Sequence, residues 1–231
     1  MAGVFYGIGV GPGDSELLTV KATKILQKID VVIAPKTEKK EGSVALNIAR
    51  PYLKADVQIC YQVFPMVKDF QNDSSAWEAN KNEIVGFLSE GKNVAFLTLG
   101  DPMFYSTYIY VLRLLKKDGI NIETIPGIPA YVAIASKYNR PIVEGDDILS
   151  VIPATANKEN IKNALKASKS AVLMKVYHNF EEVRELLKES GMEENALMVS
   201  RLGLENEREI DIKSVNDVKL NYLSTILTRR K

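Results

Sequence analysis

The chain has 231 residues, of which 46% are hydrophobic and 26% charged, a composition typical of a globular protein with a sizeable core. Its formal net charge of +1 argues against a dedicated nucleic-acid binder, because such proteins are usually strongly basic. One cysteine (Cys60) and one histidine (His178) exclude an internal disulfide and a His/Cys zinc site. No basic leader opens the chain and no apolar run reaches the ~18 residues of a membrane span, so we expect a cytoplasmic enzyme.

The first half of the chain alternates short apolar strands with amphipathic helices. The predicted strands are 4–10, 31–34, 57–60, 93–99 and 120–125, and the predicted helices are 15–29, 43–53, 74–90 and 105–117. Asp14 or Ser15 would cap the first of these helices. The alternation predicts a parallel sheet covered by helices on both faces.

The second half begins with a predicted helix at 128–138 and then changes character. Its predicted strands are 147–152, 170–175, 196–201, 207–212 and 223–228, with helices at 158–167 and 181–190. The consecutive strands at 196–201 and 207–212 indicate a hairpin, so this sheet is expected to be mixed. The sequence therefore predicts an α/β protein of two αβα domains, residues 1–118 and 119–231.

Two local features have competing interpretations. The segment 62–75 has weak periodicity, and a long loop in a compact domain usually does something, such as covering a ligand. Cys60 lies in an apolar strand, where a small buried hydrophobe is favoured over a reactive thiol.

Glycines recur between the first strand and the first helix, in residues 7–14 (GIGVGPGD). Such a loop allows the backbone to approach a ligand, although a tight strand-to-helix turn is the simpler explanation. A dinucleotide site fails, because Pro12 or Asp14 stands where the last glycine of the fingerprint belongs. No acidic residue ends the second strand either, and no Gly-Lys-Ser/Thr follows to make a P-loop.

Five short motifs follow one another along nearly the whole chain. They are residues 6–14 (YGIGVGPGD), 99–102 (LGDP), 125–128 (IPGI), 174–175 (MK) and 200–203 (SRLG). In this order they resemble the tetrapyrrole methylases, the class III methyltransferases of cobalamin and sirohaem synthesis. Three further stretches resemble the members of that family that act on carbon 20: residues 63–69 (VFPMVKD), 101–107 (DPMFYST) and 174–177 (MKVY).

The resemblance implies an enzyme that uses S-adenosylmethionine, folded in the cleft between two αβα domains, and that works as a homodimer on a small-molecule tetrapyrrole. No metal ligand, nucleic acid or membrane is implied. Carried over by motif, the residues that line the cofactor site are Pro12, Leu99, Gly100, Asp101, Phe104, Pro129, Ala130, Met174, Leu202 and, by a looser match, Thr225. Gly11, Lys68 and Lys175 would face the macrocycle.

Catalytic groups are harder to assign, because methyl transfer needs mainly alignment of donor and acceptor. Asp101 and Tyr222 are the candidates for proton handling or ring polarisation. Asp101 would attract the sulfonium or the ammonium of the cofactor, or else make an Asx turn before Pro102. Tyr222 would otherwise be an amphipathic edge residue.

The carboxylates of the macrocycle call for cations around its rim. Besides Lys68 and Lys175, the candidates are Lys36, Arg113 and Arg201, each of which would otherwise be a solvated surface charge. His178 would reach the macrocycle or its metal, or lie at the surface at the start of a helix.

Two alternatives to carbon-20 methylation stay open. The first is a related methyltransferase that acts at another ring carbon or on a non-tetrapyrrole substrate, as diphthamide synthase and the ribosomal-RNA ribose methylases do. The second is a non-catalytic module that binds and delivers a tetrapyrrole. No residue distinguishes a carbon-20 enzyme for metal-free precorrin-2 from one for cobalt-factor II. The compact, lysine-rich chain favours the cobalt form.

Overall fold

The structure, a computed structural model, describes residues 2–36, 42–65, 74–214 and 220–230. The chain divides into two compact units, Met1–Pro129 and Ala130–Lys231, each with its own five-stranded sheet. We expected the division at residue 118. It lies further along the chain, because the strand at Ile122–Ile125 pairs with the first strand of the first sheet. No helix in the described part of the chain is long and apolar enough to cross a bilayer.

The first unit is an all-parallel sheet with helices between its strands. Its strands are β1 (Phe5–Gly9), β2 (Val31–Lys36), β3 (Gln58–Val63), β4 (Val94–Thr98) and β5 (Ile122–Ile125). Its helices are α1 (Val20–Leu26), α2 (Val44–Ala49), α3 (Ser74–Ser89) and α4 (Tyr108–Lys117). The strand order is β3-β2-β4-β1-β5, and every pairing is parallel.

Burial explains the apolar runs of the central strands. All five residues of β4 are buried, as are the first four of β2, because helices cover both faces of the sheet. The parallel sheet predicted from the strand–helix alternation is confirmed. Its carboxyl ends all lie at one edge, so the loops after β4, β1 and β5 are neighbours.

The helix predicted at 15–29 is wrong in its first part. Residues Ser15–Leu17 form a 3₁₀ turn, Leu18 is extended, and α1 begins only at Val20. Two caps explain the break: Asp14 accepts a hydrogen bond from the Glu16 amide at 2.9 Å, and Thr19 accepts one from the Ala22 amide at 3.1 Å. A second capping residue inside the apolar stripe starts a new helix there.

The loop predicted at 62–75 is shorter at its amino end, since β3 continues to Val63. Residues 66–73 lie outside the described part of the chain. Side-chain amides join β3 to α3: Gln62 donates to the Asn80 carbonyl at 3.1 Å and to Glu83 at 2.8 Å. Asn80 donates in turn to the Val63 carbonyl at 2.9 Å. These bonds define where strand β3 ends.

The second unit begins with α5 (Ala130–Lys137) and contains a mixed sheet. Its strands are β6 (Leu149–Pro153), β7 (Ser170–Met174), β8 (Leu197–Ser200), β9 (Arg208–Ile210) and β10 (Ser224–Arg229), and its other helices are α6 (Lys158–Ala167) and α7 (Phe180–Glu189). The strand order is β6-β7-β10-β8-β9. Among the described strands of this sheet, β6 and β7 are the one parallel pair. β10 is antiparallel to both of its neighbours, and β8 and β9 form the predicted hairpin.

Helices α6 and α7 cover one face of this second sheet. Ile161 and Leu165 on α6 are fully buried one helical turn apart, and α7 buries Val183, Leu186 and Leu187. They pack on strand residues of the same core cluster, among them Leu173, Met198 and Ile226. The predicted mixed sheet is confirmed.

Gly7, in the middle of β1, leaves room for the ring of Tyr108 on α4. A Cβ atom at Gly7 would lie 2.1 Å from Cζ and 2.5 Å from Oη of that ring. Tyr108 is fully buried, and its hydroxyl shares a 2.6 Å hydrogen bond with Thr124 on β5. The ring therefore cannot swing away, and helix α4 can approach the sheet only over a glycine.

We expect Gly7→Ala to destabilise the protein by about 1 to 3 kcal/mol, because overpacking a buried site displaces a ring held by a hydrogen bond. Gly86→Ala is the matched control, since Gly86 lies within α3 and a Cβ there meets nothing within 4 Å. The control should stabilise the protein by about 0.5 to 1 kcal/mol through helix propensity. Urea unfolding of both variants measures the difference, and equal stabilities would contradict the packing argument.

Cys60 lies on β3 beside Glu83 of α3, and burial, followed by the hydrogen bond and charge of Glu83, raises the pKa of its thiol to about 12. A thiol with that pKa holds almost no thiolate at neutral pH. This agrees with the interpretation of Cys60 as a packing residue.

We expect Cys60 in the folded protein to react with iodoacetamide far more slowly than in the unfolded chain at pH 8. The rate should rise as the pH approaches 12, since only the thiolate attacks. Mass spectrometry of the alkylated protein measures this, with protein unfolded in guanidinium as the reference. A folded-state rate that already levels off near pH 8 would show an activated thiol instead.

Candidate functional site

Three loops meet at the carboxyl ends of the neighbouring strands β4, β1 and β5. They carry residues 9–13, 99–102 and 126–129, three of the predicted motifs. Gly11 and Gly100 form an antiparallel bridge, in which the Gly100 amide donates to the Gly11 carbonyl at 2.8 Å and the reverse bond is 3.3 Å long. The Val10 amide donates to the Thr98 carbonyl at 2.9 Å, which holds the first loop to β4.

The closest contacts in this cluster are between backbones. A Cβ atom at Gly9 would lie 2.5 Å from the Gly127 nitrogen and 2.7 Å from the Gly100 carbonyl oxygen. A Cβ at Gly127 would lie 2.1 Å from that same oxygen. Since real Cβ atoms do not come so close to backbone atoms, the three loops reach this arrangement only with glycine at Gly9 and Gly127.

Gly100 differs from the other two glycines. Its φ of +74° favours glycine, but a Cβ there would meet only Pro129 and Ile128, at 3.9 and 4.0 Å. The space beside its α-carbon is thus open, whereas the spaces beside Gly9 and Gly127 are filled by backbone.

Asp101 links two of these loops. One carboxylate oxygen accepts a hydrogen bond from the Met103 amide at 2.8 Å, which is the Asx turn considered from the sequence. The other oxygen accepts the Gly127 amide at 2.9 Å, from the turn after β5. The sequence did not indicate this second bond.

The other residues predicted from these motifs lie within the loops or directly after them in the chain. Gly11 and Pro12 are buried in the first loop, and Leu99 is partly exposed at the end of β4. Phe104 is partly exposed and packs edge-on against Tyr105 at 4.8 Å between ring centroids. Pro129 is partly exposed after the Gly127 turn, and Ala130, partly exposed, begins α5 in the second unit.

In the second unit, the predicted residues lie at one edge of the mixed sheet. Thr225, near the start of β10, pairs with Met174 at the end of β7 and with Val199 on β8. Leu202 follows the end of β8 and is 6% exposed. The antiparallel pairing of β10 thus brings together residues that lie about fifty positions apart in the chain.

Two strand ends at this edge have unusual backbone. Lys175 after β7 and Arg201 after β8 have φ values of 59° and 58°, in the left-handed region that non-glycine residues rarely adopt. Such conformations concentrate at functional sites because they redirect the chain at some cost in energy. Burial lowers the pKa of the Lys175 ammonium from its ordinary value. The Arg201 Nε donates to the Glu205 carbonyl at 2.8 Å, within its own loop.

Tyr222 lies just before β10, as expected, and is 45% exposed. Its ring meets the Tyr177 ring edge-on at 5.3 Å, and the Tyr177 ring lies 3.7 Å from the exposed His178 imidazole. Burial, with a smaller contribution from Tyr177, raises the pKa of the Tyr222 phenol. Sequence reasoning noted Tyr177 only as part of a motif and missed its contact with Tyr222.

Glu207 was also missed. Its carboxylate accepts the Gly203 amide at 2.8 Å and pairs with Lys137 of α5 at 2.7 Å. Burial by itself would raise the pKa of Glu207, but the hydrogen bonds from Lys137 and Gly203 outweigh it and hold the pKa below its ordinary value. An acid four residues after a motif glycine was the signal available in the sequence.

The remaining described cation candidates each lie over an aromatic ring. Lys36 lies over the Tyr61 ring at 5.7 Å, and Arg113 lies over the Tyr110 ring at 5.9 Å. Lys68 lies outside the described residues. In the described part of the chain, no three His, Cys, Asp or Glu side chains form a group that would hold a metal ion.

Comparison with known proteins gives the family of the chain. The family profile of the tetrapyrrole (corrin/porphyrin) methylases matches residues 4–214. The cobalt-precorrin-2 C(20)-methyltransferase of Salmonella typhimurium is 37% identical, over 100% of this chain and 98% of that protein. The precorrin-2 C(20)-methyltransferase of a Sinorhizobium species is 32% identical, over 97% of this chain and 94% of that protein.

Solved structures share the fold at lower identity. A cobalt precorrin-4 methyltransferase superposes with a TM-score of 0.79 at 21% identity, covering 98% of this chain and 94% of that one. The uroporphyrin-III C-methyltransferase of Thermus thermophilus, complexed with S-adenosyl homocysteine, has a TM-score of 0.73 at 17% identity, covering 98% and 92%. The resemblance seen in the five motifs is confirmed, and the chain belongs to the tetrapyrrole methylase family.

Proposed function

We propose that this enzyme transfers a methyl group from S-adenosylmethionine to carbon 20 of a precorrin-2 or cobalt-factor II macrocycle in cobalamin biosynthesis. The observation that carries the proposal is the full-length identity of 37% to a relative named for this reaction on a cobalt-containing substrate. The three stretches that resemble carbon-20 enzymes support it from the sequence.

The loops of the first unit fit the cofactor. Small ligands are held mainly by backbone groups and apolar walls, with few charged groups. The open space beside Gly100 is of this kind, since among the described residues only backbone atoms of Pro129 and Ile128 come within 4 Å of a Cβ placed there. We therefore assign Pro12, Leu99, Gly100, Asp101 and Phe104 to cofactor binding. The other assigned cofactor residues are Pro129, Ala130, Met174, Leu202 and Thr225.

The bound cofactor supplies a methyl group on a cationic sulfur, so the activation is already present. The protein has to align the acceptor and exclude water. The acceptor carbon then loses its proton to solvent, and Tyr222 at the second sheet is a candidate for polarising the ring. Because burial raises the pKa of its phenol, Tyr222 stays protonated at neutral pH. It is therefore suited to donating a hydrogen bond to the macrocycle rather than to acting as a base.

Gly11, Lys68 and Lys175 are assigned to the macrocycle. A partly buried ammonium such as Lys175 is stabilised when a carboxylate approaches, which offsets the burial that lowers its pKa. For Lys68, the motif in residues 63–69 is the support.

We also infer that the enzyme works in the cytoplasm as a homodimer. The support is what the family resemblance implies, together with a single cysteine, which accords with a reducing compartment. Light scattering on the purified protein measures the dimer.

The substrate is tested by incubating the enzyme with methyl-labelled S-adenosylmethionine and either precorrin-2 or cobalt-factor II. We expect one label per macrocycle, located at carbon 20 by NMR of the product, and faster turnover of the cobalt-loaded substrate. A label at another ring carbon would assign a different member of the family. Tight binding of the macrocycle without any label would indicate a delivery module.

The assignment of Gly100 is tested by Gly100→Ala. We expect S-adenosylhomocysteine to bind on the order of 10-fold more weakly by calorimetry, about 1.4 kcal/mol, because the new methyl group enters the open space. The fold should survive with a loss of roughly 1 to 2 kcal/mol, the cost of a side chain at positive φ.

Gly119→Ala is the matched control for backbone strain. Gly119 has a φ of +68°, and a Cβ there meets nothing within 4 Å. It follows the end of α4, away from the loops after β1, β4 and β5. The control should lose similar stability and keep its cofactor affinity. Equal affinities for S-adenosylhomocysteine in the two variants would show that the cofactor does not bind beside Gly100.

A further inference from the structure

Asp101 accepts hydrogen bonds from the backbone of two different loops. It follows β4, and its carboxylate accepts one amide from its own loop, Met103 at 2.8 Å, and one from the turn after β5, Gly127 at 2.9 Å. Strand β1 lies between β4 and β5 in the sheet, so no ladder hydrogen bond joins those two strands directly.

The loops that Asp101 joins meet through their backbones rather than through packed side chains. Gly9, Gly100 and Gly127 meet backbone to backbone, with no Cβ at any of the three positions. Glycines also have the most conformational freedom to lose on folding, so such a junction is costly to order. A charged acceptor makes stronger hydrogen bonds to amides than a neutral one does. One carboxylate that accepts from both loops therefore orders the junction where side-chain packing cannot.

We propose that Asp101 is a positioning residue, whose carboxylate fixes the turn at Gly127 against the loop at Gly100 and so forms the cofactor-binding backbone before the cofactor arrives. The inference rests on the proposed function in that these loops bind S-adenosylmethionine. It differs from a role as proton acceptor, since both oxygens of the carboxylate are engaged with backbone amides on the side of the loops.

The variant that separates these roles is Asp101→Asn, which keeps the shape of the side chain. An amide has one acceptor oxygen, so it can receive either the Met103 or the Gly127 amide, and its own NH₂ group faces the other donor. We expect the affinity for S-adenosylhomocysteine, measured by calorimetry, to fall on the order of 10-fold. The KM for S-adenosylmethionine should rise in parallel.

At saturating cofactor the kcat of Asp101→Asn should fall far less than its kcat/KM for S-adenosylmethionine, and the pH profile of kcat should keep its shape. A merely structural role would lower the melting temperature without this split between KM and kcat. Asp211→Asn is the matched control, because Asp211 makes the same kind of bond, to the Lys213 amide at 3.0 Å, in an exposed turn of the second unit. It should leave cofactor affinity unchanged.

Two results would overturn the proposal. One is a large loss of kcat at saturating cofactor, with or without weaker binding, because it would place the carboxylate in the chemistry. The other is unchanged affinity for S-adenosylhomocysteine in a folded Asp101→Asn protein. Failure of the proposed function would give a different result: the unaltered enzyme would leave the macrocycle unlabelled. The comparison of S-adenosylhomocysteine affinity between the variants would still test the role of Asp101.

Discussion

The backbone contact among Gly9, Gly100 and Gly127 determines how the loops of the first unit meet. Three strands end at one edge of the sheet, and their loops approach until a single Cβ atom would overlap a carbonyl oxygen. Backbone at this distance leaves no room for variation at Gly9 and Gly127, whereas Gly100 borders open space. The same three glycines lie in the three motifs of this unit that identify the family.

This constraint also fits the proposed cofactor site. A site made from backbone presents amides and carbonyls at fixed positions, which suits a cofactor whose reactivity is already carried by its sulfonium. Asp101, after the end of β4, accepts backbone amides with both of its carboxylate oxygens. The Tyr222 phenol, raised in pKa by burial, is the group that we propose as a hydrogen-bond donor to the macrocycle.

The second unit also brings strand ends together, but it does so by antiparallel pairing. Its last strand, β10, lies in the middle of the sheet, antiparallel to β7 and β8. The start of β10 therefore meets the ends of both neighbours, and Thr225 comes beside Met174. Immediately beyond these ends, Lys175 and Arg201 adopt left-handed backbone that turns the chain away from the sheet. Glu207 then secures the loop after β8 through the Gly203 amide.

The sequence by itself determined which segments are strands and helices, the parallel and mixed character of the two sheets, and the family. These follow from local periodicity, from capping and turn residues, and from short motifs. The sequence did not show that the helix predicted at 15–29 is interrupted at Thr19. At a capping residue within an apolar stripe, continuing the helix and starting a new one differ little in free energy. Only the tertiary structure decided that β5 belongs to the first unit and that Asp101 receives the Gly127 amide. Both depend on strand order in the sheet, which is settled by pairing between distant segments and leaves no trace in local pattern.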